Sequence, residues 1–343
     1  MTVGQQLNHL PLLIPEIDSL SHEEFLQLVH LSILEKISSM SKAHLRTMTF
    51  DHFENKGKML RPSFVYKLAK SLGVPVSKTF SWAQACEILH NATLIHDDIQ
   101  DEDEDEVRRG RATLWKKYGA DQAINVGDFL LVLAPSCLHQ DPNARQLLSL
   151  FSNMTFEIVN GQANEMALGK FEQRNSKYFD CYLDCISGKT SALFAGVAAG
   201  VGVLNESSIE GLKEIFYEIG HLYQMQDDIV DLYGDKKRGE QGCDIKEGKL
   251  SFLVAIHLDN NPDHFEKLTR ILLKPRLSTN KQDINEVKQA FLEHTTLAKC
   301  LRIMKLRSSK IMRHEELQRD KNLHTMVINL LDRILGPLED LEV

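Results

Sequence analysis

Asp97, Asp98 and Asp101 in "DDIQD" recur as Asp227, Asp228 and Asp231 in "DDIVD". Both triplets have the spacing i, i+1, i+4, which on a helix sets the first and last carboxylates about 40° apart around the axis. Like charges stacked this way destabilise an isolated helix by about 0.2–0.5 kcal/mol per pair. Each triplet also extends an otherwise apolar helical face, where unpaired charge is expensive. A divalent cation removes both conflicts. Oxygen-only donors select a hard ion, and one or two carboxylates per ion, with water and phosphate completing the shell, suit Mg²⁺. The twelve-residue calcium loop is excluded because its glycine is missing.

The acid is followed by base. From Asp97 to Glu106 eight of ten residues are carboxylates, and Arg108, Arg109 and Arg111 come next. Lys56, Lys58 and Arg61 lie in "KGKMLRP", and Lys189, Lys236, Lys237 and Lys249 follow further along. Lys58 and Arg61 are three apart and are expected to share a helix face that grips one anion. Arginine forks match phosphate oxygens, and lysine adds a point charge. A bound cation between carboxylates and phosphate inverts the local electrostatics, so acidic residues can hold an anionic ligand. The constellation reads as metal ligands beside phosphate ligands, with diphosphate as the expected ligand.

Helices must position these groups. In "HEEFLQLVHLSILEKISSM", Phe25, Leu28, Leu31, Ile33 and Ile37 fall near one face at helical spacing. Ala83, Leu89, Ala92 and Ile95 do so ahead of the first acidic triplet, and Ile219, Leu222, Met225, Ile229 and Leu232 around the second. No strand-like alternation or Asn-Gly hairpin stands out, and Pro and Gly mark connections at residues 75 and 262. The expected fold class is all-α, a single helical domain over residues 21–343 with an appended segment over 1–20.

Composition narrows the function. The 343-residue chain carries a net charge of −8, which excludes a general nucleic-acid binder with its basic stripe. The first residues show no basic start with an apolar core, and "ALFAGVAAGVGVL" is shorter than the roughly 20 residues a membrane helix needs. A cytoplasmic protein with at most peripheral membrane contact is expected. The six cysteines are scattered, and Cys181 and Cys185, four apart, are expected to pack on one helix face. No nucleophile–base spacing and no GxxxxGK[ST] loop is present.

In chain order the sequence shows "GKMLRP", "EILHNATLIHDD", "RRGRATLW", "NVGD", "GQANE", "GKTSALF", "YQMQDDIVD" and "GCDIKEGK". Together, over about residues 55 to 253, these motifs resemble the trans-prenyltransferases of the polyprenyl synthetase family. The resemblance implies an isoprenoid synthase-type bundle of antiparallel helices around a deep central cavity, usually as a homodimer. It implies Mg²⁺, about three ions per active site. It implies condensation of isopentenyl diphosphate with an allylic diphosphate, lengthening the chain by five carbons. By position, Lys58, Arg61, His90 and Arg109 then look like ligands for isopentenyl diphosphate. Arg108, Lys189, Thr190 and Gln224 look like ligands for the allylic diphosphate, and Gln162 is a polar neighbour. Asp97, Asp101 or Asp103, and Asp227 look like direct metal ligands, with Asp98, Asp228 and Asp231 completing the two clusters.

Some positions depart from the pattern. Helix geometry favours Asp101 as the third acid, whereas counting back from Arg108 favours Asp103. Lys56 stands where the family often has glycine, and Glu240 stands near a common phosphate-binding lysine; either Lys236 or Lys237 substitutes for it, or substrate closure is weaker. The resemblance puts product length on the residues before Asp97, where a bulky aromatic stops growth at fifteen carbons. Here Thr93 and Ala92 are small, and Leu89 lies a further turn away. A product of at least twenty carbons is expected, with geranylgeranyl diphosphate leading. Alternatives are a farnesyl or longer polyprenyl diphosphate synthase, a cyclising or irregularly coupling enzyme, a non-catalytic regulatory subunit of a prenyl synthase, and a structural acidic metal-binding protein.

Overall fold

A computed structural model describes residues 14–100, 107–108, 111–168, 177–205, 209–234, 241–339 and 341. The fold is all-α, as the periodicity predicts. The longer helices are α1 (His22–Met40), α2 (Ala43–Phe53), α3 (Leu60–Ser71), α4 (Phe80–Gln100), α5 (Ala120–Ser136), α6 (Ala144–Leu168), α7 (Tyr178–Ile186), α8 (Ala192–Asn205), α9 (Ile209–Tyr233), α10 (Phe252–Asn260), α11 (Lys281–Glu293), α12 (Thr296–Met312) and α13 (Lys321–Leu335). Between "DEDEDE" and "TLW" the sequence shows no strand signal, yet β1 (Val107–Arg108) and β2 (Arg111–Ala112) pair antiparallel, with Val107 opposite Ala112. The proposed appendage lies outside the described residues up to 13 and continues as a short helix, Ile14–Ile17.

The chain forms two compact units. The first comprises Met1–Ser152 and Val197–Ile209. Within it α1 begins with a capping box, Ser21 to the Glu24 backbone and Glu24 back to Ser21, a device worth about 1 kcal/mol. Phe25, Leu28, Ile33 and Ile37 are buried as expected, while Leu31 is half-buried. α4 buries Ala83, Leu89, Ala92 and Ile95 along the predicted face and adds Trp82, whose indole N–H donates to the Val197 carbonyl at 3.0 Å. α4 packs most extensively on α5.

The second unit comprises Asn153–Gly196 and Glu210–Val343. α9 buries Ile219, Leu222, Met225, Ile229 and Leu232, the face read from sequence. α10, buried from Phe252 to Leu258, packs on α7 and α12. The apolar run at residues 192–204 proves to be the end of a longer helical stretch, Tyr178–Asn205, whose 28 residues have the length and composition of a membrane span. Two thirds of its most apolar window is buried inside the fold, as in the core helix of a water-soluble protein. All six cysteines are free thiols. Cys181 and Cys185 lie on α7, and burial raises both, Cys185 to about 12.

Candidate functional site

In the first unit the cationic motif opens α3. Lys58 does not share a helix face with Arg61. It is exposed in the turn before the helix, separated from it by Met59, whose backbone is left-handed at φ 46°. Arg61 is the second helical residue and half-buried. The two cationic side chains therefore flank the N-terminal end of α3, the positive end of the helix dipole.

α4 carries His90, half-buried, then half-buried Asp97 and buried Asp98 near its end. Next to His90, Asn91 is locked by its amide donating to the Glu87 carbonyl and carboxylate at 2.8 and 3.1 Å, and by His52 at 3.0 Å. "NVGD" explains how α5 reaches this end of α4. A Cβ on Gly127 would fall 2.2 Å from the His96 ring, so only glycine admits the approach. Asp128 then lies 3.5 Å from His96, one residue before Asp97. Ala92 and Leu89 are fully buried and Thr93 is half-buried. Asp101, Asp103, Arg109 and the Arg108 side chain lie outside the described residues, as does the loop holding Lys236, Lys237 and Glu240.

In the second unit the predicted ligands converge. Between α7 and α8 the helix widens into a single π turn, Ser187–Ser191, which carries Lys189 and Thr190. Such turns are rare and are frequent at functional sites. Thr190 donates to Gln224 on α9 at 2.8 Å, and the Gln224 amide donates to one oxygen of Asp228 at 2.8 Å. The other Asp228 oxygen accepts the Phe252 N–H at 2.8 Å. Asp231 accepts the Asp244 N–H at 3.2 Å, which ties "DDIVD" to "GCDIKEGK". Asp227 is exposed, whereas Asp228 and Asp231 are buried. Lys189 pairs with Glu165 of "GQANE" at 2.5 Å, and Gln162 is half-buried on the same helix, α6.

Burial pushes the Asp228 carboxyl up to about 7, against the hydrogen bonds from Gln224 and Phe252 that favour its charge. Asp244 is driven well above the ordinary carboxylate range by burial and by the Asp228 and Asp231 carboxylates. Lys249 is the cation that acts on Asp244, and the carboxylate donors of this cluster are all oxygen, a fit for a hard divalent cation. Among the described residues no three His, Cys, Asp or Glu side chains converge on one metal position.

Glu165 and Asp244 were not singled out from sequence, although both sit inside quoted motifs. Neither pairing is visible in sequence, since Glu165 is 24 residues from Lys189 and Asp244 is 13 residues from Asp231.

Comparisons with known proteins follow the same lines. The polyprenyl synthetase family matches residues 42–293. The short chain isoprenyl diphosphate synthase of Methanocaldococcus jannaschii is 34% identical over 241 residues, covering 67% of this chain and 71% of that one. The geranylgeranyl diphosphate synthase of Saccharolobus solfataricus is 32% identical over 276 residues, covering 76% and 81%. The crystal structure of geranylgeranyl pyrophosphate synthetase from Pyrococcus horikoshii superposes with a TM-score of 0.77 at 25% identity, covering 93% and 99%.

Proposed function

The chain belongs to the polyprenyl synthetase family, and from that premise we propose that it is a Mg²⁺-dependent trans-prenyltransferase joining isopentenyl diphosphate to an allylic diphosphate. The product is geranylgeranyl diphosphate, a reading supported by small Thr93 and Ala92 ahead of Asp97 and by relatives bearing that name. The domain spans residues 21–343, and the enzyme works in the cytoplasm. Its oligomer is a homodimer, for which Phe156 and Val159, exposed by 67% and 57% one turn apart on α6, provide an apolar surface.

Lys189, Thr190, Gln224 and Arg108 hold the allylic diphosphate, with Gln162 beside it. Lys58, Arg61, His90 and Arg109 hold isopentenyl diphosphate. The cation ligands are Asp97, Asp98 and Asp101 or Asp103 in one motif, and Asp227, Asp228 and Asp231 in the other. When bound, Mg²⁺ supplies fixed positive charge that stabilises the departing diphosphate. The allylic C–O bond breaks and its electron pair leaves with diphosphate. The double bond of isopentenyl diphosphate attacks the allylic carbon, and the proton then lost passes to the released diphosphate. Apolar helix faces such as Leu89–Ala92 keep water from the carbocation.

The observation that carries this reading is the bonded chain Thr190–Gln224–Asp228–Phe252, which joins a diphosphate-binding side chain directly to the acidic motif. Diphosphate release by the purified protein tests it, with isopentenyl diphosphate, an allylic primer and Mg²⁺. Chelation is expected to abolish release, and Asp227→Ala to lower kcat on the order of 10²–10³-fold. Release indifferent to both treatments contradicts the reading.

A further inference from the structure

The π turn at Ser187–Ser191 is held by more than the pair Thr190–Gln224. Ser187, its first residue, shares a 2.9 Å hydrogen bond with Nε2 of His221, one turn before Gln224 on α9. His221 is 5% exposed. Its Nδ1 faces Arg307 of α12 at 3.4 Å and Glu218 of its own helix at 3.9 Å. Arg307 donates to Glu218 at 2.7 Å. The imidazole and the guanidinium together hold the Glu218 carboxyl down at about 2, so the anchor is an ionised pair at neutral pH. Nothing in the reaction above uses His221 or Arg307.

We propose that His221, fixed by Glu218 and Arg307, is the positioning residue that holds the π turn open and so aims Lys189 and Thr190 at the allylic diphosphate. The inference rests on the reading of those two side chains as diphosphate ligands. A π turn contains one residue more than the α-helical turn it replaces, and loss of the widening rotates the register by about 100°. Side-chain bonds at both ends of the turn oppose that relaxation. Ser187 is bonded to His221 at one end, and Thr190 to Gln224 near the other. The His221 bond lies farther from the acidic motif and touches no group assigned to substrate.

Steady-state kinetics of the full-length protein, with both substrates varied, provide the test. His221→Ala is expected to raise KM for the allylic diphosphate and to lower its kcat/KM about 10–100-fold, leaving KM for isopentenyl diphosphate unchanged. Ser187→Ala is expected to match it, and the double variant to be no worse than either single one. His221→Gln, whose amide reaches the Nε2 position, is expected to restore most of the loss. A crystal structure of His221→Ala is expected to show residues 187–191 as regular α-helix. An intact π turn, unchanged kinetics, or equal loss for both substrates with a lowered melting temperature overturns the proposal. Lys189→Ala separates the two failures. If wild type elongates and Lys189→Ala loses allylic affinity while His221→Ala does not, the positioning role alone is wrong. If wild type does not turn over, or Lys189→Ala is silent, the reading fails and the positioning role falls with it.

Discussion

At the scale of the residue, the second acidic triplet is divided in a way its spacing conceals. Asp227 is exposed, while Asp228 and Asp231 are buried and hydrogen-bonded to backbone N–H groups of Phe252 and Asp244. The spacing reveals which residues share a face, but not that a backbone N–H from another segment meets each buried carboxylate. Lys58 shows a different limit. Three-residue spacing suggests one helix face with Arg61, yet Met59 takes a left-handed φ of 46° that no glycine announces. Ala92 carries the sharpest residue-level prediction. It is fully buried on α4, one turn before His96 and Asp97. Ala92→Phe is expected to shift the main product from twenty to fifteen carbons, read by chromatography of radiolabelled prenyl alcohols. A twenty-carbon product from both proteins moves the length-limiting wall to another helix.

At the scale of the element, hydrophobic periodicity was sufficient for the long helices and silent about their defects. The faces of α4 and α9 were legible because their apolar residues follow a regular 3.6-residue repeat. The π turn was not, since one inserted residue shifts register without changing composition. Its packing is nevertheless strict. A Cβ on Gly188 would lie 2.5 Å from the Glu157 carbonyl oxygen and 2.6 Å from the Gly161 Cα, both backbone atoms of α6. Gly188→Ala is expected to destabilise the protein by about 1–3 kcal/mol and to weaken allylic diphosphate binding, measured by denaturant unfolding and by KM. Retention of both stability and KM contradicts this packing argument.

α10 buries a titratable side chain. His257 is 1% exposed. It is bonded to Thr296 at 2.8 Å and to His264 at 3.0 Å, with His294, Lys267 and Lys299 nearby. Burial, with His264 and His294 next, pulls its pKa from 6.5 down to about 4. The unfolded chain therefore binds more protons between those values, and stability falls as pH drops through that window. The loss approaches about 3 kcal/mol by pH 4. His257→Gln is expected to flatten urea midpoints between pH 6.5 and 4. A slope unchanged by the substitution assigns the dependence to other groups.

At the scale of the whole molecule, fold class was legible from helical periodicity, and family from eight motifs spread over little more than half of the chain. The helices after residue 293 lie beyond the family match and carry no motif, yet α12 supplies Arg307, the anchor of the His221 network. That role is visible only in three dimensions, because 89 residues separate Arg307 from Glu218. The exposed Phe156–Val159 surface belongs to this scale too. Phe156→Asp is expected to convert a dimer into a monomer in light scattering, and a monomeric wild type contradicts the assignment of that surface.

The most direct test of the central claim is the mass of the prenyl product. Purified protein is incubated with Mg²⁺, isopentenyl diphosphate and dimethylallyl, geranyl or farnesyl diphosphate in turn, and the extracted products are weighed by mass spectrometry. The account predicts linear chains extended by five-carbon steps, ending at twenty carbons. Recovery of every primer unextended by a folded, Mg²⁺-loaded protein contradicts it.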